Sequence, residues 1–258
     1  MDQARRDVCA MAVMAKAPRS GEVKTRLIPP LTAEEAATLS ICFLKDITAN
    51  FMAASWSVPI AGYIAFSPPE SEALFRKLVR PEIDLLASRR IGLGHSLLDA
   101  TEDLLAMGYD GACLVNSDSP TLPTSILVEA AEALRAPGDR VVLGPASDGG
   151  YYLIGLKQPH RRLFEDIAWS TERVFRQTAE RAASIALDVV TLPRWYDVDD
   201  ATSLGWLVRE VLAGERPPDC ARQGYAAPDS SAYLRALATL GGGDRLGVDR
   251  TTIEPIPP

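Results

Sequence analysis

Apolar and polar positions along this chain switch repeatedly between a strand-like and a helix-like pattern. Val8-Cys9-Ala10-Met11-Ala12-Val13-Met14-Ala15 is a continuous apolar run of strand length and predicts a first core strand. The period then changes: Ala36, Leu39, Phe43, Leu44, Ile47 and Phe51 recur at helical spacing up to about Ala54. Ahead of them, Thr32-Ala33-Glu34-Glu35 matches a capping box, in which the threonine oxygen and the glutamate three residues on satisfy exposed amides. Val58 to Phe66 predicts a second strand, and Glu70 to Val79 a helix after Pro68-Pro69, since proline is tolerated in a first helical turn. Ile91-Gly92-Leu93-Gly94 breaks the pattern before a helix from about Ser96 to Met107. Ala112 to Asn116 is a strand that delivers Asp118 to its end, and a helix from about Thr124 to Leu134 returns behind it, with Thr124 and Ser125 placed to cap it.

Arg140 to Gly144 is another strand, and Asp148-Gly149-Gly150 leads straight into Tyr151-Tyr152-Leu153-Ile154-Gly155-Leu156. That connection is too short for a crossover helix, so the two strands are antiparallel or the second bends away. Trp169-Ser170-Thr171 is placed to cap a helix to about Ala183, Ala186 to Leu192 is the last strand, and Asp200 is placed to cap a helix from Ala201 to Leu212. The expected architecture is one α/β domain over residues 1–212: a mixed, mostly parallel sheet with helices on both faces. From 213 to 258 the composition shifts to Pro, Gly, Ser and Ala, with one short helix near Ser231 to Leu240. Such a tail is expected to be partly disordered or to pack against a second subunit as a homodimer.

Composition narrows the function. At 258 residues and 47% hydrophobic, the chain can bury a substantial core. A net charge of −7 argues against a nucleic-acid backbone as partner, which needs a surplus of Lys and Arg on the binding face. No apolar run approaches the roughly 18 residues of a membrane span, and the short apolar stretch after Arg5-Arg6 serves better as a strand than as a signal peptide. Cys9, Cys42, Cys113 and Cys220 are widely spaced, with no Cys-x-x-Cys pair. They are expected to be reduced thiols of a cytoplasmic protein rather than a disulfide frame or a zinc site.

The candidate chemistry lies at strand ends. Lys16, Arg19, Lys24 and Arg26 surround Gly21 in the loop after the first strand, a composition suited to diphosphate oxygens, although the spacing is not that of a P-loop. Asp118, at a strand terminus, is placed as a ligand for a divalent ion, magnesium or manganese, which favours one or two protein carboxylates plus phosphate oxygens. Asp197 and Asp199 alternate around Val198, so an extended backbone turns both to one face, and only one of them need reach the metal. Asp148, Gly149 and Gly150 suit backbone approach to a ligand and acceptance of sugar hydroxyl hydrogen bonds, and equally suit a plain hairpin turn. Trp169 is either a stacking platform or a core residue. Neither His95 nor His160 has a partner motif, and no serine occupies a Gly-x-Ser-x-Gly elbow.

Taken together, Met14-Ala15-Lys16 with Gly21-x-Val23-Lys24-Thr25-Arg26-Leu27, Asn116-Ser117-Asp118-Ser119-Pro120, Leu143-Gly144-Pro145-Ala146-Ser147-Asp148-Gly149-Gly150-Tyr151-Tyr152-Leu153-Ile154-Gly155, Trp169-Ser170-Thr171 and Tyr196-Asp197-Val198-Asp199 resemble the radical-SAM/selenodomain-associated transferase family. That family is glycosyltransferase-like and sits in the nucleotide-diphospho-sugar transferase superfamily, with the Rossmann-like glycosyltransferase A fold. The resemblance spans about residues 9–212. It implies that Lys16, Gly21, Lys24, Thr25 and Arg26 form the nucleotide-binding loop, with Lys24 and Arg26 at the phosphates. It further implies that Asp118 binds the metal with Asp199 as second ligand, and that Asp148, Gly149, Gly150 and Tyr151, with Trp169, face the substrate. Relatives commonly carry an acidic residue and an arginine after a Leu-Gly pair, where this chain has His95-Ser96 after Leu93-Gly94.

Two reactions fit these parts. Glycosyl transfer from a nucleotide sugar to a small acceptor would use the metal as a Lewis acid on the departing diphosphate. Nucleotidyl transfer from a nucleoside triphosphate to a phosphorylated small molecule, as in the similar loop of phospholactate guanylyltransferases, would use Lys24 and Arg26 on the departing pyrophosphate. An inactive binding protein of the same fold is the third reading. The family favours the first, and the cation density of the loop the second.

Overall fold

The computed structural model describes residues 5–90 and 92–247. Ile91, in the expected pattern break, and residues 248–258 of the expected tail lie outside the described residues. Strand β1 (Cys9–Lys16) is central, and its apolar run divides between two layers. Cys9, Met11, Val13 and Ala15 enter one core and Ala10 and Ala12 the other, as the period of 2 dictates. Against β1 lie β2 (Ile60–Ser67) on one side and β4 (Gly111–Val115) on the other, both parallel to it. Beyond β2, reached through the short helix α2 (Glu72–Leu78), is β3 (Asp84–Ala87), and beyond β4 come β6 (Tyr151–Leu156), β5 (Arg140–Pro145) and β7 (Asp188–Thr191), giving the order β3-β2-β1-β4-β6-β5-β7.

Among these strands only β6 runs against its neighbours, with Leu114 opposite Ile154 and Leu143 opposite Ile154 on its other side. The five residues between β5 and β6 allow nothing longer than a turn, so the mixed sheet follows from the sequence. The edge strand β3 has no counterpart in the expected elements. It is four residues long and begins on Asp84, which leaves too few positions for an alternating pattern to show.

One face of the sheet carries α1 (Ala33–Ala54) and α4 (Thr124–Arg135) with α6 (Ala201–Ala213); the other carries α3 (Leu93–Ala106) and α5 (Val174–Ser184). Leu39, Phe43, Ile47 and Phe51 of α1 are at most 3% exposed, and a buried phenylalanine contributes roughly 2–3 kcal/mol. Both bonds of the capping box form: Glu35 N donates to Thr32 Oγ1 at 3.2 Å and Thr32 N to Glu35 Oε2 at 2.8 Å. Asp200 caps α6, accepting from Ser203 N at 2.9 Å. Two expected caps are corrected. Thr124 does not cap α4, because its hydroxyl donates to Asn50 Oδ1 on α1 at 2.6 Å and the N-cap position is Pro123. Helix α5 starts only at Val174, and Thr171 closes the turn before it by donating to Ala168 O.

After Gly214, left-handed at φ 69° where the α6 C-cap needs it, the chain returns to the α1 side of the core. Cys220, Leu234, Ala238 and Leu246 are buried there. Helix α7 (Pro228–Leu237) is held at its N-terminus by Asp46 of α1. This fully buried carboxylate accepts from Asp229 N, Ser230 N and Ser230 Oγ at 2.5–2.8 Å. Burial pushes its pKa up to about 6 despite those donors. Arg245, on the short α8 (Gly243–Leu246), pairs with Glu35 at 2.9 Å and so joins the end of the segment to the start of α1. All four cysteines are free and buried. Among the described residues no helix is long and apolar enough to cross a membrane.

Candidate active site

The chain leaves β1 toward β2 on one side of the sheet, while β4 lies on the other, so the loops after β1 and β4 part and leave a crevice at the carboxyl edge. Strands β5 and β7 run parallel to β4 and end at the same edge. Four loops therefore converge there: 17–24 after β1, 116–123 after β4, the 146–150 turn after β5, and 192–200 after β7. The loops are stitched together. Val198 N donates to Asp118 O at 2.8 Å, Ser119 Oγ to Tyr196 O at 2.9 Å, Ser147 Oγ to Trp195 O at 3.2 Å, and Tyr152 Oη to Pro193 O at 2.6 Å. Beneath them Tyr196 donates to Glu210 Oε2 of α6 at 2.6 Å, so the 192–200 loop rests on a buried anchor.

Asp148, Asp197 and Asp199 are brought together, each offering a carboxylate oxygen within 4.8 Å of the others. Val198 between the last two is fully buried, so its side chain fixes the alternation that turns both aspartates the same way. Two unit charges that far apart repel by roughly 3 kcal/mol at an effective dielectric of 20. Burial first, and then Asp148, Asp199 and Asp118, push the Asp197 carboxyl up to about 7. Hard oxygen donors crowded until one resists ionisation are a donor set suited to a small divalent cation.

Asp118, expected as the metal ligand, is paired with Lys24: Lys24 Nζ is 2.7 Å from Asp118 Oδ1, 3.0 Å from Asp199 Oδ1 and 2.6 Å from Val198 O. The carboxylate shared by both groupings is Asp199. Despite its burial, Lys24 is held above the ordinary lysine range by Asp118 and Asp199. Its backbone is left-handed at φ 50° and starts the short 3₁₀ turn Thr25–Leu27.

The remaining expected residues divide. Lys16, Gly21, Thr25 and Arg26 are exposed, and Gly21 turns the loop at φ 77°. Asp148 Oδ1 accepts from Gly150 N at 2.7 Å, an Asx turn that holds the carboxylate at the rim. Gly149 has a structural duty: at φ 91°, a Cβ there would lie 2.3 Å from Glu172 O. Tyr151 points into the layer containing α3 and α5, where burial pushes its hydroxyl pKa well up. Trp169 is half-buried, with its indole against Gly94 of α3, where a Cβ would come within 2.6 Å of the ring. Asp197 is the one member of the triplet that the sequence reading left without a role, although the Asp-Val-Asp alternation already placed it beside Asp199.

Comparison with known proteins bears on the fold. Residues 52–171 match the model of a family described as an uncharacterized protein conserved in bacteria (DUF2064). No curated protein matches the chain. Among solved structures it is similar to a proposed nucleotide-diphospho-sugar transferase from Desulfovibrio desulfuricans G20, at 27% identity and TM-score 0.72, over 88% of this chain and 97% of that one. It is also similar, at 11% identity and TM-score 0.51, to a CMP:2-keto-3-deoxy-manno-octonic acid synthetase solved with CTP, over 81% and 99% of the two chains. The fold is thus the transferase-like α/β fold shared by nucleotide-sugar transferases and nucleotidyltransferases.

Proposed function

We propose that this protein is a divalent-metal-dependent transferase acting on a nucleotide-activated substrate, and that its reaction is glycosyl transfer from a nucleotide-diphospho-sugar to a small acceptor. One observation carries the reading: Asp148, Asp197 and Asp199 gather at the carboxyl edge of the sheet, beside a loop bearing Lys16, Arg19 and Arg26. The three carboxylates would hold magnesium or manganese, whose chemistry there is charge neutralisation and Lewis-acid support of a departing diphosphate. The exposed cations of the loop would meet the phosphates. The rim position of Asp148 keeps it within reach of a donor or acceptor hydroxyl. Similarity to the Desulfovibrio protein supports the glycosyl reading over its rival.

Nucleotidyl transfer stays as the second reading because of one feature: Lys16, at the end of β1, and Arg26, in the 3₁₀ turn that follows the loop, are exposed cations available to a triphosphate. A thermal-shift panel of nucleotide sugars and nucleoside triphosphates, each with magnesium, separates the two, since a ligand that prefers the folded state raises the melting temperature. Stabilisation by nucleotide sugars and by nucleoside diphosphates supports glycosyl transfer. Stabilisation by triphosphates alone overturns it.

A further inference from the structure

A lysine ammonium has three N–H bonds, and those of Lys24 meet three acceptors: Val198 O, Asp118 Oδ1 and Asp199 Oδ1, at 2.6–3.0 Å. The side chain is 7% exposed and its Nζ lies 5.5 Å from the centre of the Phe43 ring, so water does not compete for the charge. Lys24 therefore differs from Lys16, Arg19 and Arg26, the exposed cations of the same segment. In this arrangement it has no N–H left for a phosphate. It also holds Asp199, one of the three carboxylates grouped with Asp148 and Asp197.

We infer that Lys24 is the built-in cation of the site. It competes with a divalent ion for Asp199, and its N–H groups reach a substrate phosphate only after the ion has taken over that carboxylate. The inference rests on the metal site proposed above. The physical ground is charge: Asp118 and Asp199 hold the ammonium, and Asp199 is itself crowded by Asp148 and Asp197. A divalent ion beside Asp199 weakens the hold on Lys24 twice, by withdrawing negative charge from it and by repelling the ammonium directly. Because Lys24 sits on the loop that carries the other cations, its release turns one more positive charge toward an entering phosphate. Metal and phosphate then bind with positive coupling, which is reciprocal.

Mn²⁺ alone is a sufficient probe, with free ion measured by electron paramagnetic resonance as it is titrated into the wild-type protein and into Lys24→Met. Removing the competitor is expected to tighten Mn²⁺ binding about tenfold. A lysine that merely held the aspartates in place would give the opposite result, because its loss would loosen the ligand set. Equal or weaker Mn²⁺ binding by Lys24→Met, with binding by the wild type intact, overturns the inference and leaves the metal site standing. Absence of binding by both proteins overturns both. Should Lys24→Met not fold, the wild-type protein carries the test through nitrogen-resolved NMR of lysine ammonium groups. The buried Lys24 signal is expected in the metal-free protein and should shift or vanish on saturation with Mg²⁺. A signal unchanged while Mg²⁺ is bound overturns the inference.

Discussion

Lys24 Nζ lies 2.7 Å from Asp118 Oδ1, joining the loop after β1 to the loop after β4 across the crevice where the sheet changes direction. The contact is an ion pair buried on its lysine side, and that lysine keeps a second carboxylate, Asp199, at 3.0 Å. Removing Asp118 therefore leaves the ammonium still compensated. Asp118→Ala is expected to lower stability by roughly 1–2 kcal/mol rather than the 3–5 kcal/mol typical when a buried charge loses its sole partner. Urea unfolding of the two proteins measures the difference. A loss above that range would mean that Asp199 does not hold the ammonium.

Asp148 tests the triplet with little disturbance to the fold. Its Oδ1 accepts from Gly150 N, which asparagine can also satisfy, so Asp148→Asn removes one charge and keeps the turn. Calorimetry with Mn²⁺ is expected to show roughly tenfold weaker binding at unchanged stability, since ligand charge count tunes the affinity of such sites. Full affinity in Asp148→Asn would confine Asp148 to its hairpin.

Much of the fold was legible in the sequence for local reasons. The Thr32 and Glu35 capping box, the Asp200 cap and the antiparallel β6 each follow from a few neighbouring residues. The short edge strand β3 carries too few alternating positions to show, and Thr124 looked like a cap because its partner, Asn50, is distant in the chain. The same division runs through the site. Asp118, Asp148 and Asp199 were visible as carboxylates at strand ends, because a parallel sheet brings those ends to one edge. The pairing of Lys24 with Asp118 and Asp199 was not, since it depends on how two loops pack. Tyr151 points into the core because its position in β6, next to Tyr152 on the opposite face, assigns it to the α5 side.

Arg26 is exposed on the loop after β1, where a phosphate would be met by a charge-assisted bond. Arg26→Ala is expected to weaken binding of a nucleoside diphosphate about tenfold and to leave the matching nucleoside unaffected. Calorimetric titration of both ligands checks this. Equal losses for the two would make the loop a structural element.

The Glu35–Arg245 pair gives the C-terminal segment a pH signature. Hydrogen bonds from Arg245 first, and then the bond from Thr32 N, hold the Glu35 carboxyl down to about 2 against the opposing effect of burial. A depressed folded pKa contributes stability that is complete above the unfolded value near 4.5 and is lost as pH falls toward 2. Because Arg245 is 44% exposed, solvent screening keeps the contribution small. Arg245→Ala should be slightly less stable than wild type at pH 7 in urea unfolding, and the gap should narrow by pH 3. A gap independent of pH would place its origin in packing.

Gly149 reports on the turn that carries Asp148. Alanine there would need φ near 91° and a Cβ 2.3 Å from Glu172 O, a backbone atom that cannot rotate away. Gly149→Ala is expected to cost about 2 kcal/mol or more in thermal or urea unfolding. A neutral effect would show that the turn and the segment before α5 are not packed as described.

Product analysis tests the central claim most directly. The protein is incubated with a panel of nucleotide-diphospho-sugars and Mg²⁺, without any added acceptor, and the released nucleotides are separated by chromatography. Glycosyl transfer predicts slow release of nucleoside diphosphate from at least one nucleotide sugar, since water can stand in as a poor nucleophile. That release should require the divalent ion and be lost in Asp199→Asn. Pyrophosphate released from a nucleoside triphosphate, with every nucleotide sugar left intact, would contradict the account.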